Sequence, residues 1–276
     1  MPAKIAYLGP AGTFSEEAVL LYDNTAQRIP FPSFSAVAAA VESGMADEGI
    51  VAIENSIEGS VTDTLDMLIH DSPLRIKNEL ILPISQYLLV KKGTSSSEIK
   101  IIFSHPQALA QCRRFLERCF PKAQMVAALS TVAAVEEMLS CTSPSAAIAP
   151  GRAAVIYGTD ILASGIQDQK SNVTRFVVLS VKDHAPTGHD KTSLCFSFSD
   201  DRAGLLFGVL TELAKYNVNL CKIESRPTKE NLGRYIFLLD IDGHREDAII
   251  AEILTRIEAQ TSLFKVFGSY PRYQQK

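Results

Sequence analysis

The rhythm of apolar and polar positions changes near residue 185. Before that point, short apolar runs alternate with helical patterns. The run 4–9 (KIAYLG) precedes a helical pattern from about Ser15 to Tyr22, and 49–54 (GIVAIE) precedes one over 61–70. The run 99–104 (IKIIFS) precedes a helix over 106–119, and 146–150 (AAIAP) precedes a short one near Ala153. Strands and helices at this spacing predict βαβ units around a mainly parallel sheet. The long extended run 79–90 (ELILPISQYLLV) breaks the alternation and predicts a crossing between two α/β subdomains. A last apolar strand is predicted over Phe176–Val181, preceded by the polar residues Ser171, Asn172, Thr174 and Arg175.

The segment 182–191 is polar and holds Pro186 and Gly188, which marks a linker. After it the pattern reads strand (192–199), amphipathic helix (203–217), two strands (219–227 and 233–241), helix (246–260) and strand (263–269). Leu206, Val209, Leu210 and Leu213 share one face of the first helix. This β-α-β-β-α-β order predicts a ferredoxin-like unit.

The 276 residues allow two modest domains. A net charge of −4, with no basic stripe, argues against nucleic acid or an anionic membrane as partner. No apolar stretch reaches the length of a membrane span, and no signal peptide is visible. The five cysteines are odd in number and lack zinc-ligand spacing, so free thiols in a cytoplasmic protein are expected, with no metal. Asn172-Val173-Thr174 fits the N-glycosylation pattern, but that needs secretion and is set aside.

Polar residues gather just past the strands, where α/β sheets bind ligands. In GPAGTFSEEA (9–18), Gly9 and Gly12 permit a tight turn, Thr13 with Glu16 fits a capping box, and Ser15 follows. In ENSIEGSVTD (54–63), Asn55 and Ser56 follow a buried strand, and Ser60 with Asp63 fits a second box. In SHPQALAQC (104–112), Ser104 or His105 caps a helix begun by Pro106, and Gln107 and Gln111 share one face. Free N–H groups at helix starts hold anions. With Asn172, Thr174 and Arg175 these loops predict a cleft for a small, multiply anionic organic molecule. No nucleotide-binding glycine loop is present and no cofactor is expected.

These stretches, with TRF (174–176), resemble the prephenate dehydratase family, and the C-terminal AGLL and IESRP resemble its ACT regulatory domain. The resemblance spans nearly the whole chain. It implies a catalytic domain over 1–182 shaped like a two-lobed periplasmic binding protein, with crossings near 79–90 and 170–176. A linker at 183–191 and a βαββαβ ACT domain at 192–276 complete the division. No chorismate mutase segment precedes the first motif, so the monofunctional form is expected. The implied reaction is decarboxylating dehydration of prephenate to phenylpyruvate, regulated by L-phenylalanine, in a cytoplasmic homodimer or tetramer. The family's catalytic threonine falls on Thr174, and substrate contacts fall on Asn55, Ser104 and Gln111. Thr13, Ser15, Ser56, His105, Asn172 and Arg175 complete the candidate substrate site. The effector site falls on Ala203, Gly204, Leu205 and Leu206 and on Glu224, Ser225 and Arg226, with Asn219 and Leu220 beside them. Leu205 stands where the family more often has alanine, so an altered effector response is expected. Arogenate dehydratase, or a non-catalytic cytosolic sensor, are the alternatives.

Overall fold

In the computed structural model, which describes residues 2–229 and 233–274, the polypeptide forms three sheets. Residue 1 and residues 275–276, the outer limits of the two expected domains, lie outside the described residues, as do 230–232. The first sheet runs Gln27–Phe31, Lys4–Leu8, Glu48–Asn55, Val173–Ser180, Arg75–Pro83, with the two-residue strand Gly59–Ser60 paired to Glu48–Asn55. Lys4–Leu8 and Gln27–Phe31 are parallel. Pro30 is tolerated because its strand lies at the sheet edge.

The second sheet runs Asp160–Ser164, Tyr87–Val90, Ser145–Ala149, Ile101–Ser104, Gln124–Ala127. Ile101–Ser104 is parallel to both neighbours, whereas Tyr87–Val90 is antiparallel to both of its own. Arg75–Pro83 belongs to the first sheet and Tyr87–Val90 to the second. Ser145–Ala149 is buried along its whole length, as a central strand covered on both faces must be.

By contacts the chain divides into two units. One holds the chain up to Val37, with Ile50–Val61 and Ile81–Phe176. Within it, Leu88, Ile102, Ala146 and Ile148 form one core cluster, and Leu89, Val135, Met138 and Ala147 belong to another. The other holds Ala38–Gly49, Thr62–Leu80 and the chain from Val177 onward. Its four-stranded sheet has the order Leu220–Pro227, Tyr235–Asp242, Asp190–Ser197, Leu263–Pro271, all antiparallel, with helices Leu205–Lys215 and Ala248–Glu258. That order, with two helices, is the predicted ferredoxin-like unit. Leu194, Phe196, Val209, Leu213, Ile253 and Ile257 fill its core.

Several predicted bounds shift. The strand expected from Phe176 begins at Val173, so Thr174 and Arg175 lie in the ladder rather than ahead of it. The single helix expected over 106–119 breaks at Cys112 into Pro106–Gln111 and Arg113–Cys119. The last sheet's first strand begins at Asp190, two residues earlier than expected.

In this second unit the segment 62–80 is held firmly. Lys191 donates to both carboxylate oxygens of Glu79 at 2.9 Å, in a pair almost wholly buried. Lys265 donates to the carbonyls of Leu68 and Ser72 (2.6 and 2.8 Å), placing a cation at the end of the helical segment Met67–Asp71. Gly268 adopts φ +154°, and a Cβ there would lie 2.3 Å from the Ile76 carbonyl oxygen. Gly268→Ala is therefore expected to destabilise the protein by roughly 1–3 kcal/mol, through overpacking against backbone that cannot yield. A thermal melt indistinguishable from the unaltered protein contradicts that packing.

Candidate functional site

The first unit contains a cleft of about 390 Å³, within the usual range for small organic ligands. Thr13, Ser15, Asn55, His105, Gln111, Asn172 and Thr174 all line it. These candidates come from four separated stretches of sequence, and the fold brings them together.

Strand geometry explains one part of the wall. Asn172, Thr174 and Phe176 line the cleft while Val173 and Arg175 do not, as the two-residue period of an extended chain requires. Arg175 instead lies 3.6 Å from the Glu54 carboxylate. Thr174 is 8% exposed and Asn172 is 1% exposed, so both act in a dry environment.

The turn after Glu48–Asn55 explains another part. The Asn55 Oδ1 accepts from the Ile57 and Glu58 backbone N–H groups at 3.0 and 3.1 Å, an Asx turn. Those donors settle the amide orientation, so the Asn55 Nδ2 must face the other way. It donates to Thr174 Oγ1 at 2.8 Å and to Asn172 Oδ1 at 2.9 Å. The Thr174 oxygen therefore accepts from Asn55, and its own hydrogen stays available to a ligand. Ser56 is exposed and outside the lining. It accepts from the Val173 N–H at 3.0 Å and so ties the turn to the Thr174 strand.

Helix starts supply the rest. Thr13 caps Phe14–Tyr22, its hydroxyl accepting weakly from the Glu16 N–H at 3.5 Å. The reciprocal half of the expected box differs: the Glu16 carboxylate accepts from the Gly12 N–H at 2.7 Å and pairs with Arg28 and Arg152. Gly12 makes this possible with φ +93°. His105 caps Pro106–Gln111, with Nδ1 accepting from the Gln107 N–H at 3.3 Å. In the neutral ring Nε2 then carries the hydrogen. Ser104 is fully buried, donates to the Ile148 carbonyl at 2.7 Å, and is not brought to the cleft wall.

Sequence reasoning missed Phe34, Gln86, Leu129, Ser130 and Thr131, which also line the cleft. Ser130 caps Thr131–Ser140, its hydroxyl accepting from the Ala133 N–H at 2.9 Å, so another helix start joins those predicted. Gln86 was visible as a lone amide inside the apolar run 79–90, and a polar residue in such a run is informative. Among the described residues no lysine, arginine, aspartate or glutamate lines the cleft. Its chemistry is that of neutral donors, helix starts and one imidazole.

The candidate effector residues fall into two groups. Gly204, Leu205 and Leu206 line a cavity of about 200 Å³, together with Arg202, Tyr235 and Phe237, and Ala203 is exposed beside them. Asn219, Leu220, Glu224, Ser225 and Arg226 are not in that lining. Asn219 donates to Asp242 at 3.1 Å, Leu220 packs on the core, and Glu224 pairs with Lys222 at 3.3 Å. Ser225 is exposed, and Arg226 donates to Asp66 at 2.8 Å.

The family model for prephenate dehydratase matches residues 5–184 and that for the ACT domain matches 196–259. A prephenate dehydratase of Bacillus subtilis is 38% identical, over 98% of this chain and 99% of its own length. A crystal structure of prephenate dehydratase from Arthrobacter aurescens in complex with L-Phe superposes with a TM-score of 0.90 at 37% identity, covering 98% of this chain and 90% of that one. A structure described as a quorum-quenching acylase superposes with a TM-score of 0.88 at 27% identity, covering 98% of each chain. Fold alone therefore does not fix chemistry, and the cleft must decide. In this cleft the hydroxyl that stands ready is backed by an amide donor, not by a base.

Proposed function

We infer the reaction from the family: this chain belongs to the prephenate dehydratase family, and its activity is the conversion of prephenate to phenylpyruvate, regulated by L-phenylalanine. Prephenate, a dianion, takes up one proton and yields phenylpyruvate, carbon dioxide and water. The bond from C1 to its carboxylate breaks, the electron pair moves through the ring, and the C4–oxygen bond breaks as the ring becomes aromatic. The departing oxygen leaves as water.

The observation that carries the assignment of roles is the bond from Asn55 Nδ2 to Thr174 Oγ1 at 2.8 Å. It occupies an acceptor site on the hydroxyl and leaves the hydrogen to point at the C4 oxygen. Thr174 is the catalytic donor, passing in or stabilising the proton that the leaving oxygen needs. General-acid help of this kind contributes about 10²–10⁴-fold. Asn55 and Asn172 orient it. The N-terminal ends of Phe14–Tyr22 and Thr131–Ser140, with Gln111 and His105, hold the carboxylates through N–H donors. The absence of a lysine or arginine from the lining suits a step that must release a carboxylate. A salt bridge to that group would stabilise the bound substrate more than the transition state. Arg175, on the opposite side of its strand, braces the Asn55 turn through Glu54.

The functional division proposed is catalysis in 1–182, a linker at 183–191 and regulation in 192–276, in a cytoplasmic dimer or dimer of dimers. Leu220–Pro227 is an edge strand, with Ser225 exposed. A second copy pairing there would bring its strand near the Gly204–Leu206 cavity of the first and complete an amino-acid site. Arg226 is engaged by Asp66. Burial alone would raise the Asp66 carboxyl, but Lys229 and Arg226 outweigh it and hold it below the usual range. Asp66→Asn removes this competitor for the guanidinium. The phenylalanine concentration for half-maximal effect should fall about two- to fivefold, the factor that roughly 0.5–1 kcal/mol represents. Turnover without phenylalanine should be unchanged. An identical phenylalanine response in the variant removes Arg226 from the effector site.

The reaction itself is tested by incubating the purified protein with prephenate and following phenylpyruvate, with and without phenylalanine. Phenylpyruvate forms if the assignment is right. Binding of prephenate without its loss leaves only a sensor, and turnover of arogenate alone transfers the activity to that substrate.

A further inference from the structure

The cleft-facing amides are linked in a chain whose polarity is fixed from one end. The Ile57 and Glu58 N–H groups hold Asn55 Oδ1, so Asn55 Nδ2 faces Asn172 Oδ1. Asn172 Nδ2 must then face outward, and it donates to Gln111 Oε1 at 3.5 Å. Gln86 Nε2 donates to the same Gln111 oxygen, also at 3.5 Å. Two donors converge on one carbonyl, and Gln111 Nε2, with both its hydrogens, is left for the cleft. Reversing any amide in the chain would set N–H against N–H or oxygen against oxygen.

The end of the chain shows what this arrangement costs. Gln86 is 3% exposed, its backbone N–H donates to Gln167 Oε1 at 3.0 Å, and its side-chain Oε1 is buried without a hydrogen-bond partner. A buried unpaired carbonyl is unfavourable by about 1–3 kcal/mol. Turning the amide over would relieve nothing, because its oxygen would then meet the Gln111 oxygen. The orphan acceptor is what remains when every donor upstream is committed in one direction.

We propose that Gln86 is a positioning residue that, with Asn172, locks the Gln111 amide so that only its N–H donors face the substrate. This rests on the reading of the cleft as the prephenate site. It makes Gln111 a binder of anionic or carbonyl oxygen throughout the reaction, in the ground state and the transition state alike. Losing the lock should therefore weaken substrate binding while leaving the chemical step nearly intact.

The test replaces Gln86 with an acceptor of the same shape. In Gln86→Glu the ionised carboxylate repels Gln111 Oε1 and draws the Gln111 N–H groups away from the cleft. At pH 9 the KM for prephenate should rise by about tenfold with kcat within about threefold of the unaltered enzyme. As pH falls the carboxyl becomes protonated, donates to Gln111 Oε1, and the KM defect should shrink. The titratable groups around the chain are His105 in the cleft, and Glu58, Arg114 and Asp168 beside Gln111 and Gln167. They are present in both proteins, so the ratio of the two KM values at each pH removes their share. Gln86→Met, which has no donor at any pH, should show a smaller rise that does not depend on pH. A purely structural role would lower the melting temperature of both variants without moving KM. A KM ratio near one for Gln86→Glu, or a ratio flat with pH, overturns the proposal. If that variant unfolds at pH 9, Gln86→Met decides: a raised KM supports the lock and an unmoved KM overturns it. The unaltered enzyme run in parallel keeps the two claims apart. Failure to make phenylpyruvate there sinks the reaction, whereas normal turnover with unmoved variant KM sinks only the lock.

Discussion

Thr174→Ala should lower kcat by about 10²–10⁴-fold while KM changes little. The methyl group cannot donate to the departing oxygen, and the expelled group is a poor one without help. The effect falls on kcat because the oxygen's demand for a donor grows as the C4 bond lengthens, so the interaction is stronger in the transition state than in the bound substrate. Thr174→Ser keeps the hydroxyl and the Asn55 donor and should retain much of the rate. The lost γ-methyl leaves the side chain freer to rotate, so some decrease is expected. Thr174→Val is the sharper control. It preserves shape and β-branching but leaves the Asn55 Nδ2 without its Thr174 acceptor, and its turnover should match that of the alanine variant. Normal kcat in Thr174→Ala removes the residue from the chemistry.

Asn55→Asp should be nearly as damaging, although it changes one atom. The carboxylate can still accept from the Ile57 and Glu58 N–H groups that hold the turn. It can no longer donate to Thr174, so the hydroxyl reverses and donates to the carboxylate instead. The hydrogen that should meet the substrate points into the protein. A negative charge also enters a cleft that must hold a dianion, where low dielectric strengthens repulsion. A fall in kcat/KM of about 10²–10³-fold is expected, the size seen when a preorganised donor is lost. Raising KM alone, with kcat intact, would mean that Asn55 only shapes the entrance and does not orient Thr174.

Part of this site is legible in the sequence. Thr13 stands out because it follows a glycine just past an apolar strand, and Asn55 because a polar run follows another, whereas the roles of Gln111 and Thr174 rest on the resemblance to the family. The ferredoxin-like half was equally readable, since Val209 and Leu213 against polar neighbours give one clear face. Other parts were hidden for physical reasons. The helix Phe34–Glu42 is so rich in alanine that no apolar stripe stands out. The strand Gln27–Phe31 contains a proline, which normally argues against a strand and is tolerated here only at an edge. The polar residues around Thr174 predict a position at the mouth of a strand. In the fold it is part of the strand, and the alternation Asn172, Thr174, Phe176 turns those polar groups inward. Arg175 illustrates the converse. Its charge and position suggested a carboxylate grip, and the same alternation carries it to the other side, toward Glu54. Which way an amide points cannot be read from sequence at all. It depends on the two backbone N–H groups that a turn of one particular shape delivers to Asn55.

The most direct test of the account is a crystal structure with a stable, unreactive analogue that keeps both carboxylates and the C4 hydroxyl. The account predicts Thr174 Oγ1 within about 3 Å of the C4 oxygen, with Asn55 Nδ2 still donating to that same threonine. A C4 oxygen held by other groups, with the Thr174 hydroxyl directed elsewhere in the closed cleft, would contradict it.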